Sequence, residues 1–454
     1  MANNQSAQGM LSQFGNLSEL KQRLLFVLGA LIVYRMGTFV PVPGVDPVAM
    51  MQLMDQQKGT VLDLFNMFSG GALQRMSVFA LNVVPYISAS IIVQLLATML
   101  PSWQALRKEG ESGRRILTQR TRWLTVALAV FQSLSVGMAL QAQTMQGGVQ
   151  VVVNPGTFFV VSTVIGLTAG TLFLMWLGEQ ITERGVGNGI SLLILAGIVA
   201  GIPAAVGSTL QQLGDGQMNI LTGLFIVALV VGVTWFVVFV ERGQRRITVN
   251  YARRNGGSRA YQNQSSHLPL KLNMSGVIPA VFASSLIMFP ATIANMGSAF
   301  AEVRVLREIS NMLTPGEPLY MFVFGALIVL FAFFYTAMVF NSAETAENLK
   351  KSGALIPGIR PGKATADYID GVMTRLTGIG ALYLVAVCLL PTLLQTKLGV
   401  PFYFGGTSLL IVVVVLMDFT AQVQAHLVSS QYESLLKKTN LKNYGRAGSV
   451  KPGQ

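Results

Sequence analysis

Ten long apolar runs decide what this chain can fold into. A bilayer hydrocarbon core of about 30 Å requires about 20 apolar residues in a helix, and an isolated strand cannot satisfy its backbone hydrogen bonds there. Of the 454 residues, 52% are apolar and only 11% are charged. The sequence therefore predicts an all-α polytopic membrane protein with ten transmembrane helices. Their expected bounds are 22–41, 76–99, 122–140, 157–179, 188–208, 219–240, 272–293, 317–340, 372–393 and 402–427.

The formal charge of +13 raises the question of whether the chain binds nucleic acid through one basic face. Its Lys and Arg residues instead recur between the apolar runs. Of the 32, 25 fall in the terminal segments and alternate loops, on one predicted side of the membrane. Loops rich in Lys and Arg remain in the cytoplasm. The N-terminal segment 1–21 and the tail 428–454 are therefore both expected to be cytoplasmic.

Two of the predicted cytoplasmic loops, 241–271 and 341–371, are about thirty residues long and basic. Such charge can serve only to orient the neighbouring spans. Loops of this length more often contact a partner. Phosphates of ribosomal RNA or an acidic motor surface would suit these loops, and the sequence alone does not separate the two.

A short irregular segment, 62–75, precedes the second span. Leu64, Phe65 and Phe68 share one helical face, but two glycines and Arg75 follow, so the segment is too short to cross the bilayer. It is either an amphipathic helix at the interface or a re-entrant segment buried in protein. A re-entrant segment would imply a cavity near the membrane centre.

Two pairs of spans carry matching motifs. Residues 83–90 read VVPYISAS and residues 277–284 read VIPAVFAS, while 189–194 read GISLLI and 406–411 read GTSLLI. Spans 2 and 7, and spans 5 and 10, are then equivalent members of two five-span halves. Because five is odd, the second half enters the membrane from the opposite face, as in an inverted repeat.

The predicted halves are 22–208 and 219–427, and the loop 209–218 joins them as a hinge. In inverted-repeat membrane proteins the working site lies at the midplane between the repeats. Four branched apolar residues fall near mid-span and are expected to meet at that level. They are Ile87, Ile194, Val281 and Ile411.

The spans contain little that could perform chemistry. His267 and His426 stand far apart, Cys388 is the single cysteine, and no Gly-rich phosphate loop occurs, so neither a cofactor nor a metal is expected. Glu179, Glu241 and Asp418 are interpreted as interfacial or locally paired.

What remains is a passage with an apolar constriction. Branched aliphatic side chains can exclude water and ions and still part around a polymer. Pro85 and Pro279 favour local kinks or a moving seam between the halves. An ion-coupled secondary transporter and a scaffold without a conduit are the alternatives.

Longer motifs identify a resemblance. They are GTFVPVPG at 37–44, FNMFSGGA at 65–72, PYISAS at 85–90, KEGESGRR at 108–115, GEQITERG at 178–185, VERGQRR at 240–246, PGIRPG at 357–362 and VPFYFGGTSLLI at 400–411. The chain closely resembles the SecY family of channel-forming protein translocase subunits, from about residue 18 to 446.

The resemblance implies a role for four sets of residues. An external plug would comprise 62–75, including Leu62, Leu64, Phe65, Phe68, Gly70, Gly71 and Arg75. The pore ring would be Val83, Ile87, Ile190, Ile194, Val281 and Ile411. The lateral gate would include Ser88, Gln94, Asn273 and Phe289. Arg242, Arg245, Arg246 and Arg360 would engage the ribosome or a motor.

The resemblance also implies a bacterial inner-membrane protein that is not itself an enzyme. Its expected partners are SecE, SecG, the SecA ATPase motor, the translating ribosome, signal sequences, nascent polypeptides, SecDF, YidC and anionic phospholipids.

Overall fold

The computed structural model describes residues 18–56, 66, 69–142, 150–216, 219–251, 265–294, 317–398 and 406–447. Its helices are α1 (Ser18–Gly37), α2 (Pro47–Gln56), α3 (Val84–Met99), α4 (Pro101–Lys108), α5 (Glu111–Ala142), α6 (Thr157–Arg184), α7 (Gly189–Gly214), α8 (Ile220–Glu241), α9 (Ile278–Ala294), α10 (Pro318–Val339), α11 (Ser342–Lys351), α12 (Lys363–Leu398) and α13 (Gly406–Ala447). Its strands are β1 (Gln244–Tyr251), β2 (Ser265–Lys271) and β3 (Ala354–Leu355).

Each of the ten predicted spans contains a helix. Among the described residues, seven helices are long and apolar enough to cross a membrane, and eight if α3 and α4 form one span bent by 104°. Of the other two, α1 carries Lys21, Arg23 and Arg35, and the described apolar part of α9 is only Ile278–Ile287. The apolar runs thus predict where the helices lie, and the full count of ten stays a prediction.

The second span begins later than its apolar run predicts. Residues 76–83 form turns, and α3 starts only at Val84. Met76 and Asn82 both have positive φ angles, 43° and 49°, which an α-helix does not allow. An isolated bridge between Pro41 and Ser77 ties this stretch to the segment after α1.

The packing order of the helices repeats in the two halves. In the first half α3 packs on α5, α5 on α6 and α6 on α7. In the second half α9 packs on α10, α10 on α12 and α12 on α13. Across the halves α3 contacts α9, and α7 contacts α13. These are the two pairs of spans whose motifs match, so the helices predicted to be equivalent face each other.

Small residues let α5 and α6 approach closely. Thr125, Ala129 and Ser133 are spaced by four along α5 and are fully buried. The Ser133 hydroxyl lies 3.3 Å from that of Thr168 on α6. Close backbone approach with hydroxyl pairs is the usual way that membrane helices associate.

The two long basic loops form one folded unit. β1 pairs with both β2 and β3 in the order β2-β1-β3, so a strand from 341–371 extends the hairpin of 241–271. Beneath the sheet lies a separate apolar core. Its buried members are Ile247, Leu270, Ile356, Ile369, Met373 and Leu376.

Three boundaries differ from those that hydropathy predicts. α13 continues twenty residues beyond 427, to Ala447, so most of the predicted tail 428–454 is helical. α7 runs to Gly214, which shortens the described part of the predicted hinge loop 209–218 to a few residues. α12 starts at Lys363 rather than 372. An apolar run marks only the part of a helix that lies within the lipid, so it does not show where a helix that extends beyond the membrane ends.

Candidate functional site

The six residues expected to form the pore ring lie in one apolar cluster. Val83, Ile87, Ile194 and Ile411 are buried members of this cluster, while Ile190 and Val281 are partly buried and pack against it. They come from α3, α7, α9, α13 and the turn before α3, and hence from both halves. Branched aliphatic side chains from both halves thus belong to one apolar cluster, and a ring formed by these six residues stays a prediction.

The ring positions lie at the beginnings of their helices. Val83 is the N-cap of α3, and the other ring residues follow within the first two turns of α3, α7, α9 and α13. The Asn188 side chain caps α7 by accepting hydrogen bonds from the backbone N–H groups of Ile190 and Ser191, at 3.1 and 3.3 Å. Capping fixes the start of α7 and, with it, the direction of the Ile190 side chain.

The two prolines of the repeated motif do not kink their helices. Pro85 and Pro279 each occupy the second residue of the helix, where the missing N–H would have had no partner within that helix. The prediction of kinks is therefore wrong, while the predicted moving seam between the halves stays a prediction. They begin the two helices that face each other across the halves.

The described part of the predicted plug is a tight turn. Gly70 and Gly71 have φ angles of +67° and +80°, which favour glycine. Arg35 donates from Nη1 to the carbonyl oxygen of Gly70 at 2.8 Å, and the Tyr34 hydroxyl donates to that of Ser69 at 3.4 Å. Helix α1 thus holds the turn in place. Leu62, Leu64, Phe65 and Phe68 lie outside the described residues, so the plug remains a prediction.

The chain after this turn is anchored to the segment that follows α1. The N–H of Val42 donates to the carbonyl of Met76, and that of Val78 donates to the carbonyl of Val40, both at 2.9 Å. The fully buried Ala72 and the buried Phe79 belong to the same apolar cluster as the ring. The backbone at Met76 and Val78 is thus tied to the segment that follows α1.

Two arginines stack on one aromatic ring beside the turn. The guanidinium carbons of Arg75 and Arg35 lie 4.2 and 4.9 Å from the ring centroid of Phe39. Partial burial, together with the like charge of Arg35, lowers the pKa of Arg75 below its usual value. The ring and the Gly70 carbonyl offset the repulsion between the guanidinium groups.

The residues expected to line the lateral gate are only partly brought together. Ser88 and Gln94 lie on α3, which packs against α9. Asn273, only 4% exposed, precedes α9 and donates to Glu241 Oε1 at 2.7 Å and to the Gly276 carbonyl at 3.1 Å. Its partners thus lie in its own half. Phe289 lies on α9, but its side chain is outside the described part of the chain.

Gln94 also finds its partner on its own helix. Its Nε2 donates to the Ser90 hydroxyl at 3.0 Å. The hydrogen bonds that the Gln94 and Asn273 amides donate therefore stay within the half that carries each residue. The contact between α3 and α9 is made largely by apolar side chains of the central cluster.

The four loop arginines are carried by the folded unit that the two loops form. Arg242 is the C-cap of α8, Arg245 and Arg246 begin β1, and Arg360 follows β3. All four are exposed, whereas Ile247 points into the apolar core below. The three-stranded sheet joins the two loops, so these charges form part of one rigid unit.

The interfacial acids are locally paired, as predicted. Glu179 accepts two hydrogen bonds from Arg122, from Nε at 2.9 Å and from Nη2 at 2.8 Å. Glu241 accepts the Asn273 amide, and an Asp418 oxygen lies 3.9 Å from Lys271 Nζ. Sequence reasoning found these acids but not their partners, because up to 147 residues separate the members of a pair.

The interior holds no described charged side chain. The buried polar residues of the described ranges are Ser, Thr, Asn and Gln. Within the same ranges no group of three or more His, Cys, Asp or Glu side chains is placed to hold a metal ion.

The chain is similar to known proteins over nearly its whole length. A family model described as SecY matches residues 77–420. The protein translocase subunit SecY of Escherichia coli is 59% identical over 432 residues, which cover 95% of this chain and 97% of that protein. The subunit of the same name from Pseudomonas aeruginosa is 56% identical over 440 residues, covering 96% and 98%.

Solved structures share the fold at lower sequence identity. A protein-conducting channel matches with a TM-score of 0.66 and 17% identity, covering 90% of this chain and 93% of that one. A channel from a canine ribosome complex of the endoplasmic reticulum matches with a TM-score of 0.63 and 16% identity, over 90% and 93%.

Proposed function

The chain belongs to the SecY family, and from that premise we propose how its residues conduct protein. It is the channel-forming subunit of a bacterial protein translocase in the inner membrane. It passes unfolded secretory polypeptides across that membrane and releases membrane-spanning segments sideways into the lipid.

The observation that carries the proposal is the apolar cluster formed by both halves. Its branched side chains supply a constriction that contains no charge to attract ions. Such a constriction excludes water when closed, and it does not depend on the sequence of the chain that passes. Val83, Ile87, Ile190, Ile194, Val281 and Ile411 would form a gasket around the moving polypeptide.

The seam between α3 and α9 is the proposed lateral exit. Its apolar packing lets the two helices separate at the cost of exposing hydrocarbon to lipid, which is small compared with exposing it to water. An apolar segment of the passing chain can replace one helix as the neighbour of the other. Ser88, Gln94, Asn273 and Phe289 would line this exit.

The channel itself supplies no energy for transport. Proteins of this family work with SecE and SecG, and a SecA motor or a ribosome drives the chain. Signal sequences and nascent polypeptides enter, while SecDF, YidC and anionic phospholipids are further expected partners. The exposed Arg242, Arg245, Arg246 and Arg360 would bind the acidic surface of the motor or ribosomal RNA on the cytoplasmic side.

The alternative of an ion-coupled secondary transporter requires ionisable groups at the midplane. The buried side chains of the described ranges include no Asp, Glu, His, Lys or Arg. The local pairing of Glu179, Glu241 and Asp418 also argues against a charge relay.

Reconstitution tests the function directly. The chain would be placed in lipid vesicles with SecE and SecG, and an unfolded secretory precursor would be added with SecA and ATP. We expect precursor to become protected from external protease only when ATP is present. Failure to protect it, together with uptake of a small solute driven by a proton or sodium gradient, would overturn the proposal.

A further inference from the structure

A hydrogen bond joins the two halves beside the proposed lateral exit. Arg107, near the end of α4, donates from Nη2 to the backbone carbonyl oxygen of Met338, in the last turn of α10. α4 belongs to the first half, and α10 belongs to the second. α10 packs on α9, which faces α3, so the bond runs from one side of the seam to the other.

The arm that carries Arg107 is rigidly attached to the first half. α3 ends at Met99, and after the single residue Leu100 the chain continues as α4 at an angle of 104°. The Arg120 guanidinium of α5 stacks on the Trp103 ring of α4, with its carbon 4.3 Å from the ring centroid. A Cβ at Gly113 would lie only 1.7 Å from the Leu106 carbonyl, so α4 and α5 also meet backbone to backbone.

The acceptor is a group that requires a donor from outside its helix. The last four carbonyls of a helix have no intrahelical partner, and the partial negative charge there attracts cations. α10 ends at Val339 and Phe340 is extended, so the Met338 carbonyl is one of these groups. Arg107 is exposed and Met338 is half-buried, which leaves the bond accessible to water and free to exchange.

Separation of the halves must break this bond. When α9 and α10 move away from α3, the Met338 carbonyl moves with the second half while Arg107 stays with α4. The hydrogen bonds of the gate amides do not oppose this motion, because Gln94 and Asn273 bond within their own halves. The Arg107 bond is therefore a polar contact that favours the closed seam over the open one.

We propose that Arg107 is a latch across the lateral gate that sets how strongly a signal sequence must bind before the gate opens. This inference rests on the proposed function as a translocase channel. Arg107 does not touch the passing chain. It determines specificity by stabilising the closed gate relative to the open gate. A signal sequence must then bind the open gate tightly enough to offset that stabilisation.

The test uses three variants in the complete reconstituted complex. Arg107→Ala removes the latch, Arg107→Lys keeps the charge with different donor geometry, and Arg114→Ala removes one exposed charge from the neighbouring helix α5 as a control. Two precursors are compared, one with an intact signal sequence and one whose apolar signal core is interrupted by a charge.

The exported amount of the interrupted precursor is the first measurement. We expect Arg107→Ala to raise it about threefold to tenfold, the range for losing one hydrogen bond of typical net strength, because water screens the charge of the exposed Arg107. Arg107→Lys should lie between this variant and the parent, and Arg114→Ala should match the parent. The intact precursor should gain less than twofold, since its signal already opens the gate. The latch would be overturned if Arg107→Ala exported no more of the interrupted precursor than the parent does. It would also be overturned if Arg114→Ala raised export as much as Arg107→Ala.

A second measurement needs no transport. Spin labels at the exposed positions Ala105 and Val339, in a Cys388→Ala background, report the distance across the latch by double electron–electron resonance. We expect Arg107→Ala to increase the fraction of longer distances in the absence of precursor. An unchanged distribution overturns the latch, even if the parent transports normally. Failure of the parent to export the intact precursor would instead contradict the proposed function, while the distance measurement would still decide on the latch.

Discussion

Gly70, in the turn at the end of the predicted plug, packs directly against Gly197 of helix α7, with no room for a side chain between the two backbones. A Cβ at Gly70 would lie 3.0 Å from the Gly197 Cα and 3.1 Å from its carbonyl oxygen. Gly70 also has a φ of +67°, and its own carbonyl accepts the Arg35 guanidinium. One glycine thus combines a left-handed backbone, a close helix contact and a charged hydrogen bond, all at the described end of the predicted plug.

Gly70→Ala should loosen the closed channel. Left-handed backbone in a non-glycine residue costs about 1 kcal/mol or more, and the contact with Gly197 adds to this cost. We expect higher ion conductance of the resting channel in planar bilayers. Gly71→Ala is the matched control, because Gly71 has a φ of +80° but its Cβ would meet only an Arg75 nitrogen at 3.8 Å. Equal leak in both variants would show that the contact with Gly197 has no effect.

Ile411→Asn should break the seal of the central cluster. Ile411 is 2% exposed, and an amide placed there without a partner costs about 1–3 kcal/mol in the closed state. An open, wetted pore solvates the amide, so the substitution favours opening. We expect a larger resting ion leak and export of precursors with defective signals, measured in vesicles and in cells. Ile411→Leu keeps the apolar volume and should behave like the parent. If Ile411→Asn matches Ile411→Leu in both assays, Ile411 does not form part of the seal.

The same cluster shows which parts of the fold and the site can be predicted from the sequence. The internal repeat predicts that Ile87, Ile194, Val281 and Ile411 lie at one level, and all four lie in or against the same apolar cluster. The kink that Pro85 predicts does not occur because α3 begins only at Val84, and hydropathy, which continues through residues 76–83, does not reveal that start. The length of α13 was also missed, because helix stability outside lipid leaves no hydropathy signal.

Contacts between distant residues were beyond sequence reasoning. Arg35 meets the Gly70 carbonyl, and Arg107 meets the Met338 carbonyl 231 residues away. A backbone carbonyl gives no residue-type signal in the sequence, so only the fold identifies such acceptors. The family resemblance predicts that Asn273 lines the gate, yet its hydrogen bond to Glu241 depends on where α8 ends.

Removal of the Arg122–Glu179 ion pair should destabilise the contact between α5 and α6. The pair is bidentate, but the Arg122 side chain is 48% exposed and that of Glu179 is 19% exposed, so water screens much of the attraction. We expect Glu179→Gln to lower the free energy of unfolding by only about 0.5–1 kcal/mol. A double-mutant cycle with Arg122→Gln, measured by thermal denaturation in detergent, should show coupling. Strict additivity of the two substitutions would mean that the ion pair adds nothing to stability.

Arg360→Glu should impair motor-driven export without affecting assembly. Arg360 is exposed on the unit that β1, β2 and β3 join, and reversal of its charge replaces attraction to an acidic motor surface with repulsion. Its side chain is not part of the apolar core, so the fold and the yield of assembled complex should be unchanged.

Lys350→Glu, on the exposed surface of α11, makes the same change of charge on the same unit and serves as the matched control. We expect the SecA-dependent export rate to fall at least tenfold for Arg360→Glu and less than twofold for Lys350→Glu, at equal amounts of complex in the vesicles. Because surface attraction is screened by salt, the difference between the variants should shrink as ionic strength rises.

Full export by Arg360→Glu at low salt would show that Arg360 does not belong to the proposed motor-binding surface.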